Sequence, residues 1–195
     1  MNKYFDDKLK TISHSIDSIQ LTVFDDLLAQ SQDIVKNGGK LIFSGLGKNV
    51  PICEKIVGML NSLGIPANFL HTNTAMHGDL GMIQDTDLIV VLSKSGNTDE
   101  SVLLLDYLQK NKGADVWGFT FNSKSKMAQI LPDHCLLLEL DNEGDKWDIV
   151  PNNSSSVYLI VLQGFALQLA DRMGITLADF KVNHPGGAIG EKLHG

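Results

Sequence analysis

Two stretches of this chain hold residues whose types and spacing suit chemistry. The first is Ser93-Lys94-Ser95-Gly96-Asn97-Thr98, which follows the apolar run Leu88-Ile-Val-Val-Leu92 and precedes Asp99-Glu100-Ser101. A buried strand running into a glycine turn and then a helix presents free N–H groups and a positive dipole end at a sheet's carboxyl edge. The hydroxyls of Ser93, Ser95 and Thr98 add donors, so this turn suits a phosphate or another small anion. Asn97 stands three residues before Glu100 and fits a capping box, and Val102-Leu103-Leu104-Leu105 then supplies an apolar helical face. An ordinary capped strand-to-helix connection accounts for the same residues equally well.

The second stretch is Gly45-Leu46-Gly47-Lys48-Asn49, after the strand Lys40-Leu41-Ile42-Phe43-Ser44. Two nucleotide motifs fail here. A dinucleotide fingerprint needs glycine at Val50, and a P-loop needs glycine at Ile42 and a hydroxyl at Asn49. What remains is a tight turn carrying one lysine. A surface lysine is the plain alternative, but a glycine-rich turn at a sheet edge favours a ligand role. His71, His77 and Asp79 lack the compact spacing of a metal site, so no metal is expected. Ser95 is not an acyl nucleophile, because position 93 is serine rather than the glycine of a nucleophile elbow.

These turns need a scaffold, and the rest of the chain reads as one. A chain of 195 residues with a 43% hydrophobic share suits one α/β domain with its own core. A net charge of −7 argues against nucleic acid as the partner. Cys53 and Cys135 sit in apolar surroundings and read as core residues, which fits a reducing compartment. No signal-peptide core opens the chain, and the run Val157-Tyr-Leu-Ile-Val-Leu162 is too short to span a bilayer. The protein is therefore read as soluble and cytoplasmic, with no membrane partner.

Residues 1–36 read as one or two amphipathic helices, with Ile12, Ile16, Ile19 and Leu21, then Phe24, Leu27, Leu28 and Ile34, at helical spacing. The α/β core and tail fill 37–195. Strands are expected at 40–44, 66–70, 87–92, 116–120 and 134–139, with helices between them, an acidic loop at 141–153 and a long apolar helix from Ser154 to about Met173. Alternation of this kind implies a parallel sheet covered on both faces, a three-layer sandwich. In the flavodoxin-like order 2-1-3-4-5, strands one and three are neighbours and their turns flank the switch point. That order brings Ser44, Lys48, Ser93, Lys94, Ser95 and Thr98 into one pocket.

Four motifs then occur in sequence: Gly45-Leu46-Gly47-Lys48, His77-Gly78-Asp79-Leu80-Gly81-Met82, Leu92-Ser93-Lys94-Ser95-Gly96-Asn97-Thr98, and His184-Pro185-Gly186-Gly187-Ala188-Ile189-Gly190. Together they resemble the sugar isomerase (SIS) domain, and within it the arabinose-5-phosphate isomerases, over nearly the whole chain. The resemblance implies a five-stranded α/β sandwich in a homotetramer with active sites shared between subunits. It implies interconversion of D-ribulose 5-phosphate and D-arabinose 5-phosphate. Its active-site set falls on Lys48, His77, Glu100, Glu143 and His184. Substrate binding falls on Gly45, Ser93, Lys94, Ser95 and Thr98, with Ser44, Ser154 and Ser155 nearby. The chain departs from the family in having Asn49-Val50-Pro51 after the lysine and Asp145-Lys146-Trp147-Asp148-Ile149-Val150-Pro151 before the long helix. Many members carry paired CBS modules after the final motif, and this chain, stopping at Gly195, is expected to act without them.

Isomerisation through a cis-enediol needs a base for the carbon proton, acid–base help at the oxygens and stabilisation of the enediolate, but no cofactor. Lys48 suits the oxyanion or the phosphate. The carbon base is left open among His77, Glu100 and His184. Each has a plain alternative: a loop histidine, a first-turn acid that complements the helix dipole, and a tail histidine. Glu143, in an acidic loop, reads first as part of a solvated face, and the serines at 154–156 as helix caps. The competing functions are a phosphosugar sensor without turnover and an isomerase of the same fold for another phosphosugar.

Overall fold

The computed structural model describes residues 2–194. Two helices open the chain, α1 (Lys3–Asp17) and α2 (Leu21–Lys36). The core alternates: β1 (Leu41–Gly45), α3 (Val50–Ser62), β2 (Ala67–His71), α4 (Thr72–Ala75), β3 (Leu88–Leu92), α5 (Asp99–Asn111), β4 (Asp115–Thr120), α6 (Lys126–Ile130) and β5 (Cys135–Leu137). The long α7 (Asn153–Met173) and the short α8 (Leu177–Val182) and α9 (Gly187–His194) follow. The five strands are parallel in the order β2-β1-β3-β4-β5, as the switch-point argument requires.

Successive side chains on a strand point to opposite faces, and β3 divides accordingly. Leu88, Val90 and Leu92 join one core with Leu41, Phe43, Trp117 and Phe119, covered by α2, α3 and α7. Ile89 and Val91 join the other with Ile42, Val116, Leu104, Leu105 and Leu108, under α5 and α6. All five β3 residues are buried, the pattern of a central strand covered on both sides. The N-terminal helices lie on the first face, where Ile12, Ile16, Ile19 and Ile34 pack against the core. Leu21 does not: it opens α2 and is 76% exposed.

The expected capping box at Asn97 is not formed. The N-cap of α5 is Thr98, which places Ser101 rather than Glu100 at the third helical position. Asn97 is engaged elsewhere, its Oδ1 accepting the Lys126 N–H at 2.9 Å. The fifth strand is shorter than expected, because it pairs with β4 over three residues only. Among the described residues, no helix is long and apolar enough to cross a membrane.

Candidate active site

In the parallel register, Gly45 of β1 pairs with His71 on one side and Leu92 on the other, and Leu92 pairs with Phe119. The strands therefore end level, and the turns after β1 and β3 leave the same sheet edge side by side. Asn49, in the short 3-10 turn Gly47–Asn49, donates its side-chain amide to the Leu92 carbonyl at 3.2 Å. A Cβ on Gly45 would come within 2.9 Å of Asn49 Cβ and 3.1 Å of Cys53 Sγ, so only glycine lets the lysine turn fold down this closely. Lys48 is exposed and, among the described residues, has no hydrogen-bond or ion-pair partner.

The serine turn is rigid on one side and open on the other. Ser93 is buried; its hydroxyl lies 3.1 Å from Thr98 Oγ1 and accepts the Gly96 N–H at 3.2 Å. Ser95 is exposed, and its hydroxyl accepts the Asn97 N–H at 3.2 Å. Gly96 has φ +61°, and a Cβ there would lie 2.3 Å from Ser125 Oγ and 2.8 Å from Thr120 Oγ1. The β4–α6 segment pins the turn's back: Asn122 donates to the Ser95 carbonyl at 3.2 Å, and Met127 N–H donates to the Gly96 carbonyl at 3.0 Å. The Phe119 carbonyl takes both the Ser93 N–H at 3.1 Å and the buried Tyr158 hydroxyl at 2.9 Å, which joins α7 to the turn's root. Among the described residues, no acceptor serves the N–H groups of Thr98, Asp99, Glu100 or Ser101. These unused donors and the dipole of α5 make a seat for an anion.

Glu143 reverses the solvated-face expectation, since its side chain is fully buried. Its Oε1 lies 2.6 Å from Lys94 Nζ and accepts the Ser154 hydroxyl at 2.6 Å; its Oε2 accepts the N–H groups of Asn152 at 3.0 Å and Ser154 at 2.9 Å. Burial pushes the carboxyl up, but Lys94, the Ser154 hydroxyl and the two N–H groups together hold it below its ordinary value. The carboxylate, rather than the serines, thus caps α7: the Ser154 hydroxyl points to Glu143, and the Asn152 side chain accepts no N–H of the helix's first turn. Ser155 is half-buried beside them. Around Glu143 the loop is knitted by Asp145, which accepts the N–H groups of Trp147, Ile149 and Val150. A cleft of about 350 Å³ opens between loop and turn, lined by Lys94, Ser95, Phe121, Asn122, Asn142 and Asp148.

Glu100 is exposed in the first turn of α5, at the same sheet edge. His77 is exposed in the turn after α4, next to a groove of about 500 Å³ lined by Phe69, His71, Thr74, Gly78, Asp79 and Met82. Ser44 belongs to the sheet edge but not to an open pocket, because it is fully buried with its hydroxyl 3.0 Å from Thr72 Oγ1. His184 is remote within the protomer. Its Nδ1 lies 2.8 Å from the Phe180 carbonyl, its Nε2 2.7 Å from Ser62 Oγ, and its ring stacks on Phe180. A carbonyl can only accept, so this network puts the proton on Nδ1 and makes Ser62 the donor to Nε2. Ser62 ends α3, a helix of 13 residues that begins at the sheet edge carrying the two turns; at 1.5 Å per residue His184 stands roughly 20 Å away, toward the opposite edge. Sequence reasoning gave no site role to Asn49, Asn122, Ser125 or Tyr158, because the contacts that tie them to the two turns join segments far apart in the chain.

Residues 34–170 match the SIS domain. The chain is 32% identical over 179 residues to the arabinose 5-phosphate isomerase KdsD of Pseudomonas aeruginosa, covering 92% of this chain and 54% of that protein. It is 36% identical over 155 residues to the arabinose 5-phosphate isomerase KpsF of Escherichia coli O6:H1 strain CFT073, covering 80% of this chain and 47% of that protein. The chain thus spans about half the length of the curated relatives it matches. Among solved structures, an E. coli CFT073 protein in complex with arabinose 5-phosphate superposes with a TM-score of 0.86 at 34% identity, covering 93% of this chain and 94% of that one. With the sheet order, the paired turns and the match over residues 34–170 all in agreement, the chain belongs to the SIS domain family.

Proposed function

We propose that this chain is an aldose–ketose isomerase acting on a phosphosugar, interconverting D-arabinose 5-phosphate and D-ribulose 5-phosphate through a cis-enediol. The observation that carries the proposal is the seat formed by Ser93, Ser95, Thr98 and the unused N–H groups of α5, set beside the lysine turn by the Asn49–Leu92 bond. The likeness to the E. coli protein in complex with arabinose 5-phosphate supports the choice of sugar.

The seat would hold the phosphoryl group and so deliver the carbonyl end of the open-chain sugar to the exposed acid–base groups. Lys48 would stabilise the developing enediolate oxygen. Glu100 and His77, exposed and without carboxylate or cation partners among the described residues, are free to exchange protons with substrate. His184 would serve the site of a neighbouring copy, in a homotetramer whose pockets are shared, since its own protomer holds it toward the other sheet edge. The test is a direct assay with D-arabinose 5-phosphate and D-ribulose 5-phosphate. Turnover lost in both His77→Ala and His184→Ala supports the reading. Thermal stabilisation by the phosphosugar without turnover would make the chain a binding module instead.

A further inference from the structure

Lys94 sits in the phosphate turn, yet its charge is already engaged by a carboxylate. Its backbone is fixed from β4: the Lys94 carbonyl accepts the Phe121 N–H at 3.1 Å and the Thr120 hydroxyl at 3.0 Å. Its ammonium reaches Glu143, buried in the loop that precedes α7. Among the described residues this ion pair is the sole polar contact between turn 93–98 and loop 141–153. Glu143 has no idle acceptor position, because four donors fill the roughly four lone-pair sites that a carboxylate offers. Withdrawing the ammonium toward a phosphate would leave a buried carboxylate without its counter-charge, a costly arrangement.

We infer that Lys94 is a positioning residue: it clamps loop 141–153 and the first turn of α7 onto the phosphate turn and so shapes the cleft between them, rather than binding the phosphoryl group itself. The kinetic arm of this inference rests on the isomerase reading. In the clamp, Glu143 is the fixed jaw, bonded to the α7 N-terminus, and Lys94 the jaw that belongs to the site. Loosening the clamp would misplace the sugar end of the substrate while leaving the hydroxyls and N–H groups of the seat in place.

The experiment combines Lys94→Met, Lys94→Arg, Glu143→Gln and the double variant Lys94→Met/Glu143→Gln. It reads turnover of arabinose 5-phosphate, affinity for inorganic phosphate by calorimetry, and hydrogen exchange at 141–153. Lys94→Met and Glu143→Gln should each lower kcat about tenfold or more through misplacement of substrate. Both should leave phosphate affinity within about threefold and speed exchange in the loop. The double variant should be no worse than the poorer single variant by more than about threefold, as for two members of one contact. Lys94→Arg should recover most of the turnover. Phosphate affinity lost in Lys94→Met but kept in Glu143→Gln would overturn the inference, as would multiplicative losses in the double variant or unchanged exchange at 141–153. A wild-type chain with no turnover would remove the isomerase reading alone, because phosphate affinity and exchange still decide the role of Lys94.

Discussion

The side-chain amide of Asn49 donates to the Leu92 carbonyl at 3.2 Å, and this bond ties the lysine turn after β1 to the strand end from which the serine turn springs. Asn49→Ala removes the tie without opening a large cavity. Its stability should fall by about 1 kcal/mol, the ordinary worth of one hydrogen bond. Turnover should fall further, about tenfold, because Lys48 loses its fixed place beside the seat. Urea unfolding and steady-state kinetics on the same preparation separate the two effects.

Gly96→Ala should abolish phosphate binding and destabilise the fold by about 2 kcal/mol or more, combining left-handed strain with overpacking. The added Cβ would lie 2.3 Å from Ser125 Oγ and 2.5 Å from Ser125 Cβ. Adding Ser125→Gly should restore part of the stability by removing the nearest clash, but not all, since φ +61° and the 2.8 Å approach to Thr120 Oγ1 remain and α6 loses its Ser125 cap. Thermal unfolding of both variants, with and without inorganic phosphate, checks this.

The Glu143 carboxyl titrates lower in the folded chain than its ordinary value of 4.5. A depressed carboxyl contributes stability that is fully present above the unfolded value and is lost as pH falls through the folded one. Wild type should therefore lose stability on acidification below about pH 4.5, and Glu143→Gln should lose less over the same range. Denaturant midpoints measured from pH 6 down to about pH 3 test the sign; parallel slopes for the two proteins would contradict it.

If sites are shared between copies, Lys48→Ala and His184→Ala should each be inactive, yet co-refolded mixtures should regain turnover. Some pockets then combine an intact Lys48 from one chain with an intact His184 from another. No recovery on mixing would assign both residues to a site within one chain.

Both thiols are buried, and burial pushes Cys53 and Cys135 upward, the latter to about 12. Neither should react with a thiol reagent at neutral pH until the chain unfolds, because the thiolate is the reactive form. Reaction traces with and without denaturant decide this.

The strands and the serine–glycine turn were legible because local pattern marks them, and the sheet has the flavodoxin-like order that was assumed for it. The run Leu88–Leu92 is apolar at every position because β3 is covered on both faces, and glycine at 96 answers a backbone demand that no other residue meets as well. Asn97 misled because its side chain had two possible partners, and the one it takes, the Lys126 N–H, lies 29 residues away. Glu143 misled because composition describes a loop's average exposure, not the burial of one member.

By itself, the sequence determined the alternating α/β scaffold and the two glycine-bearing turns, since hydrophobic period and glycine position act over a few residues; that the turns share one sheet edge came with the strand order, which the pairing of β1 with β3 sets. Tertiary structure alone decided that Glu143 is buried against Lys94 and that His184 stands toward the opposite edge from the serine turn. Those facts depend on contacts between segments far apart in the chain, where no local preference of either residue sets the outcome.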